Sequence, residues 1–179
     1  MAAERIGVIG AGSWGTALVK LLTGTQQRVG WWVRRVESIA HINTYGHNPQ
    51  YISAAQFDVE RLAMSSDIHA VVDNADVLVV AVPSAFLKAT MEQLDPAELK
   101  GKTVFSAVKG IVPETNQIVG EYLFEHWGVA KTDFGVICGP CHAEEVALER
   151  LSYLTIASQN NAKARAMGAA LAGRFMKTS

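Results

Sequence analysis

The sequence predicts an α/β fold built on a doubly wound, mostly parallel sheet, and three observations predict it. Short apolar runs alternate with stretches of helical pattern along the whole chain. Several of those runs, such as Val77-Leu-Val-Val-Ala-Val82, are continuous rather than alternating, as strands buried on both faces must be. The first run meets Gly10-x-Gly12-x-x-Gly15 and then a helix-compatible segment, the layout of a strand that turns into a helix over an anion.

Taken in order, the predicted strands are Arg5 to Ile9, Arg28 to Val33, Leu62 to Ser65, Val77 to Val82, Thr103 to Val108, Phe134 to Cys138 and Tyr153 to Ala157. The helices between them run from Trp14 to Thr23, Val36 to Thr44, Ala70 to Asn74, Ser84 to Leu94, Glu114 to His126 and Ala143 to Glu149. An amphipathic stretch from Ala162 to Phe175 closes the domain. Ser84 after Pro83 is a candidate cap, and Pro113-Glu114 a favourable first helical turn. This rhythm is Rossmann-type, and in such sheets ligands lie at the carboxyl ends of the strands. The residues just after Ile9, Val33, Val82, Val108 and Cys138 are therefore the ones to inspect.

At the first of these, each glycine has its own task. Gly10 permits the tight turn, Gly12 lets the backbone approach a phosphate, and Gly15 lets helix and strand pack closely. The helix opening there offers unpaired N–H groups and a partial positive charge to a diphosphate.

After the second strand the chain reads Trp32-Val33-Arg34-Arg35, where the adenosine ribose of a dinucleotide belongs. An acidic residue at this point would accept both ribose hydroxyls and repel a 2′-phosphate. Arg34 and Arg35 instead suit a 2′-phosphate and can stack on adenine, so NADP is tolerated or preferred over NAD; the plainer reading is two arginines opening a solvated helix. After the fifth strand, Lys109-Gly110 puts an ammonium at the crevice, to meet a phosphate or substrate oxygen, or simply to be solvated at a strand end. After the sixth, Gly139-Pro140-Cys141-His142 shapes a turn whose helix offers a second anion site, or is a plain strand-to-helix turn.

Composition narrows the classes. The 179 residues, 49% hydrophobic and 18% charged, suffice for one sizeable core. A net charge of −1 without any Lys/Arg block gives no basis for a nucleic-acid partner. No apolar run approaches the ~18 residues of a membrane span, and no leader pattern precedes the first strand, so a soluble cytoplasmic protein is expected. Cys138 and Cys141 form a C-x-x-C, but Gly139-Pro140 between them reads as a turn rather than a redox or zinc site. His41, His47, His69 and His126 are scattered, so no metal is expected. His142 reads as a loop-orienting residue or as an acid–base group, while Trp31, Trp32 and Tyr45 read as core or nucleotide-flanking packing.

The segments GAGSWGTAL, WVRR, NPQYI, AVPS, KGI and GPCHAEEVA, in this order and spacing, resemble the amino-terminal domain of the bacterial NAD(P)-dependent glycerol-3-phosphate dehydrogenases. The resemblance covers essentially the whole chain. It implies hydride transfer from NADPH or NADH that reduces dihydroxyacetone phosphate to sn-glycerol 3-phosphate, the precursor of glycerophospholipids. It implies that Ser13 and Trp14 contact the cofactor in the glycine turn, that Arg34 and Arg35 lie at its adenosine end, and that Tyr51 and Ala143 lie beside it. It places Lys109 near both nicotinamide and substrate, and Gly139 and Cys141 near the substrate.

Two departures from the family pattern stand out. A small polar residue is usual at Cys141, and a Pro-Gly turn is usual where Ser53-Ala54-Ala55 follow Tyr51-Ile52. A thiol is a weak hydrogen-bonding group, so contact at Cys141 is expected through the backbone. The family continues into an all-helical second domain that supplies the proton-donating lysine, and no segment here matches it. The chain is therefore expected to be the cofactor domain, residues 1 to 179, of a longer enzyme, with no catalytic residue of its own and inactive alone. The resemblance leaves a homodimer open for the full-length protein. The alternatives are a free-standing NAD(P)-binding regulatory module and a related two-domain hydroxyacid or ketopantoate-type reductase.

Overall fold

The computed structural model describes residues 4–26 and 28–179. Strands β1 (Ile6–Ile9), β2 (Val29–Trp32), β3 (Leu62–Ser65), β4 (Val77–Val80), β5 (Thr103–Ser106) and β8 (Phe134–Cys138) lie parallel in the order β3-β2-β1-β4-β5-β8. Strand β9 (Ser152–Ser158) adds antiparallel to β8, and β10 (Met176–Thr178) pairs parallel with β9, completing eight strands. The order reverses at β1, whose neighbours β2 and β4 both align on it from Ile6 to Ile9. A crevice opens at such a switch point.

Helices α1 (Ser13–Thr25), α2 (Val36–Tyr45), α6 (Ala143–Ala147) and α7 (Asn161–Leu171) share a core with Val8, Trp31, Val79, Phe105 and Ile156. Helices α3 (Ile68–Asp73), α4 (Ser84–Met91) and α5 (Val119–Trp127) share another with Ile9, Leu78, Val80 and Val104. Successive strand residues thus enter opposite cores, which is why the central runs carry no polar alternation. The doubly wound, mostly parallel sheet expected from the sequence is the fold observed.

The differences lie where local signals compete. Pro113 and Glu114 do not begin a helix: they sit in the turn of a hairpin, β6 (Ile111–Val112) with β7 (Gln117–Ile118), and α5 starts only at Val119. Asn116, with φ 55°, makes that reversal, and its N–H reaches Val112 O at 2.8 Å; asparagine tolerates this left-handed conformation better than most residues. Ser84 does not cap α4, because Pro83 holds the N-cap position and no side chain bonds there. Helix α7 ends at Leu171, and the remaining residues of the expected stretch, 172–175, form an irregular bend that leads into β10. Tyr45, expected as packing, is exposed at the end of α2 beside His41.

Candidate functional site: a crevice across the glycine turn

The glycine turn is held from several sides. Gly10 has φ +121°, and a Cβ on it would stand 2.6 Å from Ala81 O of the neighbouring strand end. A Cβ on Gly15 would stand 2.2 Å from Gly10 O, so only glycine lets the first turn of α1 sit this close to β1. Gly12 differs: nothing lies within 4 Å of where its Cβ would be, and its φ of −75° is ordinary. It faces open space. Gly12 is the N-cap of α1 with no side-chain cap, and the first turn carries no acidic residue. A thirteen-residue helix that is uncapped, free of carboxylates and open at its N-terminus is an anion seat.

Two concavities meet at this seat. One, of about 250 Å³, is lined by Gly10, Gly12, Arg34, Arg35, Tyr51 and Phe86 among others. The second, of about 400 Å³, is lined by Ser13, Trp14, Lys109, His142, Ala143 and Glu144, and it shares Gly12, Val82 and Pro83 with the first. Together they form one crevice over the carboxyl ends of β1, β2, β4 and β5. Cations mark both ends. Arg34 and Arg35 are exposed at the β2 end, and Lys109 holds its ammonium 5.7 Å from the Trp14 ring centroid at the β5 end, a cation–π contact. A larger cavity of about 620 Å³, between the ends of α1 and α7, contains none of these residues. The crevice has the chemistry; the larger cavity has only size.

Of the residues expected at the site, Gly10, Gly12, Ser13, Trp14, Arg34, Arg35, Tyr51, Lys109 and Ala143 line the crevice, while Gly15 supports it from below. Gly139 and Cys141 do not line it. A Cβ on Gly139 would stand 2.5 Å from Tyr153 O, so its place is a close approach between β8 and β9. Cys141 is 6% exposed and its thiol donates to Tyr153 O at 2.7 Å. Its side chain is committed to packing. Helix α6 is five residues long with Glu144 and Glu145 in its first turn, so the second anion site expected at its N-terminus is absent. Cys138 and Cys141 are both free, one exposed and one buried. Among the described residues no group of three or more His, Cys, Asp or Glu side chains is arranged to hold a metal ion.

Some lining residues escaped the sequence. Phe86 stands 59% exposed on α4 and faces the Arg34–Tyr51 side of the crevice, although an apolar residue in a helical pattern reads as core. Ser38 and Thr90 are buried polar residues in the same wall, and short hydroxyl residues give no signal. Trp31 is fully buried and donates its indole N–H to Gly10 O at 2.9 Å, so it braces the turn from within.

The parallel sheet, the switch point and the open glycine turn between two cationic ends define a dinucleotide-binding domain. The comparisons with known proteins narrow the class. Residues 5–164 match the family model of the NAD-dependent glycerol-3-phosphate dehydrogenase N-terminus, and the chain belongs to that family. A glycerol-3-phosphate dehydrogenase [NAD(P)+] of Geobacillus kaustophilus is 33% identical over 162 residues, 90% of this chain and 47% of that protein. One from Ectopseudomonas mendocina is 35% identical over 174 residues, 97% of this chain and 50% of that one. The chain spans about half the length of the curated relatives it matches.

Among solved structures, the glycerol-3-phosphate dehydrogenase of Coxiella burnetii superposes with a TM-score of 0.87 at 24% identity, covering 98% of this chain and 53% of that one. An imine reductase from Myxococcus stipitatus reaches 0.67 at 16% identity, over 99% of this chain and 55% of that one. Both show the fold.

Proposed function

We propose that this chain is the cofactor-binding half of a glycerol-3-phosphate dehydrogenase that reduces dihydroxyacetone phosphate to sn-glycerol 3-phosphate with NADPH or NADH. The observation that carries the reading is the single crevice running from Arg34 and Arg35, over the open N-terminus of α1 at Gly12, to Lys109 and Trp14. The residues present fit the dinucleotide: Gly12 leaves room for a diphosphate, α1 supplies unpaired N–H groups, and the arginines suit a 2′-phosphate. When bound, the nicotinamide supplies a hydride to the substrate ketone carbon.

This chain's own residues bind, orient and shield. Trp14, Val82 and Pro83 give the nicotinamide end an apolar wall that excludes water from the transfer. Lys109, steadied on Trp14, attracts the substrate phosphate or the oxygen that gains charge as the ketone is reduced. The proton that completes the alcohol is assigned to a lysine in the half of the enzyme outside this chain. With the Cys141 thiol bonded to Tyr153 O, any contact of Gly139 and Cys141 with the substrate is through backbone atoms. No helix among the described residues is long and apolar enough to cross a membrane. With the family membership, this supports a cytoplasmic enzyme acting on a small phosphorylated substrate, with a homodimer as the assembly to test by the mass of the full-length protein.

Calorimetric titration of this chain with NADPH and NADH is the direct test. Heat of binding with at least one is expected, without NADPH oxidation when dihydroxyacetone phosphate is added to the chain alone. Oxidation is expected from the longer protein that carries it. No binding of either nucleotide overturns the reading.

A further inference from the structure

Asn48 is a buried amide whose placement packing does not explain. It is 2% exposed, and a leucine of similar size would fill the same space without the cost of burying an amide. Its side chain uses all of its hydrogen-bonding capacity. Nδ2 donates to Ala11 O at 3.1 Å and to Thr16 Oγ1 at 2.9 Å, while Oδ1 accepts from the N–H groups of Gln50 at 3.0 Å and Tyr51 at 3.3 Å. One side chain thus joins two segments far apart in sequence: the glycine turn with the first turn of α1, and the loop that carries Tyr51 into the crevice wall.

The bond to Ala11 O has a directional consequence. In a trans peptide the C=O of Ala11 and the N–H of Gly12 point in opposite directions. Drawing the carbonyl inward to Asn48 aims the Gly12 N–H the opposite way, at a residue where an added Cβ would also meet nothing within 4 Å. The described hydrogen bonds leave that N–H without an acceptor. Trp31 does the same one peptide earlier, pulling Gly10 O inward at 2.9 Å and so turning the Ala11 N–H outward. Both donors come from outside the glycine motif.

We infer that Asn48 is a positioning residue for the cofactor: it turns the Gly12 amide toward the diphosphate and locks the Tyr51 wall to that amide, so that both halves of the adenosine-diphosphate seat form together. The inference rests on the dinucleotide reading of the crevice. It assigns to Asn48 no contact with the nucleotide; Asn48 acts through the backbone it holds.

The test is calorimetric titration of this chain with ADP-ribose and NADPH, paired with hydrogen exchange measured by mass spectrometry. Asn48→Ala removes all four bonds and takes this partner from Ala11 O and from the buried Thr16 Oγ1. Affinity for both ligands is expected to fall roughly 10-fold or more. Exchange rises in residues 10–16 and 48–52 and stays unchanged in 161–171. Asn48→Asp keeps acceptors for the Gln50 and Tyr51 N–H groups but gives nothing to Ala11 O. Its exchange rises in residues 10–16 while 48–52 stays protected, and affinity still falls.

If neither Asn48 variant folds, Thr16→Val decides, because it keeps the volume and removes one partner of the amide; a loss of a few fold with exchange raised only at 10–16 is expected. Binding within two-fold of the unmodified chain in any folded Asn48 variant overturns the inference. So does exchange that rises equally in 161–171, which marks a global loss of structure. An unmodified chain that binds neither ligand overturns the cofactor reading and this inference with it. Normal binding by the unmodified chain and its folded variants alike overturns this inference alone.

Discussion

Gly12 and Gly15 occupy the same motif, yet the backbone around them makes opposite demands. A methyl group at Gly15 meets Gly10 O at 2.2 Å, inside any allowed contact, whereas a methyl at Gly12 meets nothing within 4 Å. Gly15→Ala is expected to cost roughly 3 kcal/mol of stability or more. Gly12→Ala is expected to change stability by less than about 0.5 kcal/mol. Its methyl projects instead into the space meant for a phosphate, so NADPH affinity falls about 10-fold or more. Urea melts beside calorimetry separate the two effects; a Gly12→Ala protein that binds normally would place the diphosphate elsewhere. The tight turn at Gly10 and the close packing at Gly15 were legible in the sequence, because each is a geometric task that only glycine meets.

Arg34 tests the adenosine end in the same way. Arg34→Asp replaces a cation that can pair with a 2′-phosphate by a carboxylate that accepts ribose hydroxyls, so NADPH is expected to weaken about 10- to 100-fold while NADH changes little. Equal losses for the two nucleotides would mean that Arg34 is only a solvated helix residue. What the sequence could not show at this scale is illustrated by Cys141 and Phe86. The first sits in a site-like turn but points into the core, and the second sits in a core-like helix but points into the crevice. Both orientations follow from local rotation of short segments, which residue type does not encode.

Among the elements, the strands were legible and the helix ends were not. Strands β3 and β8 have the bounds expected from the sequence, although most of their residues are only half-buried; β1, β4 and β5 are the strands buried along their whole length. Helix α6 shows how an end escapes. It was expected to continue to Glu149, but Glu149 has φ 59°, its N–H reaches Val146 O at 3.1 Å, and the Arg150 N–H reaches Glu145 O at 3.0 Å. That pair of bonds is a Schellman termination, whose left-handed position normally holds glycine. Helices α2 and α5 end in the usual way, on Gly46 and Gly128. An exposed glutamate in that conformation carries strain of about 1 kcal/mol. Glu149→Gly is accordingly expected to stabilise the chain by roughly 0.5 kcal/mol, after the greater freedom of glycine in the unfolded chain is discounted. Chemical denaturation of the two proteins measures the difference, and a destabilised variant would show that the glutamate side chain makes a contact of its own.

At the scale of the whole molecule, the sheet is stitched at the end opposite the crevice by one pair of side chains. Arg5 precedes β1 and Asp76 precedes β4, two neighbouring strands, and they are joined by two guanidinium bonds at 3.1 and 2.8 Å. Asp76 also accepts the Arg5 backbone N–H at 2.9 Å, and the Asp76 N–H donates to Arg5 O at 2.8 Å. Composition and spacing gave no hint of this partnership, which exists only once β1 and β4 are neighbours. The side-chain and backbone bonds from Arg5 hold the Asp76 carboxyl down at about 2, below its ordinary 3.8. A carboxyl depressed by folding contributes stability that is complete above its unfolded value and disappears as pH falls through its folded value. The Arg5 side chain is 61% and the Asp76 side chain 45% exposed, so water and salt screen the pair and its contribution is small. Asp76→Asn is therefore expected to lower stability modestly and by a constant amount from pH 5 to pH 7. Between about pH 4 and pH 2 the gap from the unmodified chain should close, because the native carboxyl is then being protonated and loses what the variant never had. Urea midpoints compared at pH 7, 5, 3 and 2, and again at high salt, read this directly. A gap that stays constant to pH 2 would assign the loss to the carboxyl's shape and hydrogen bonding rather than to its charge.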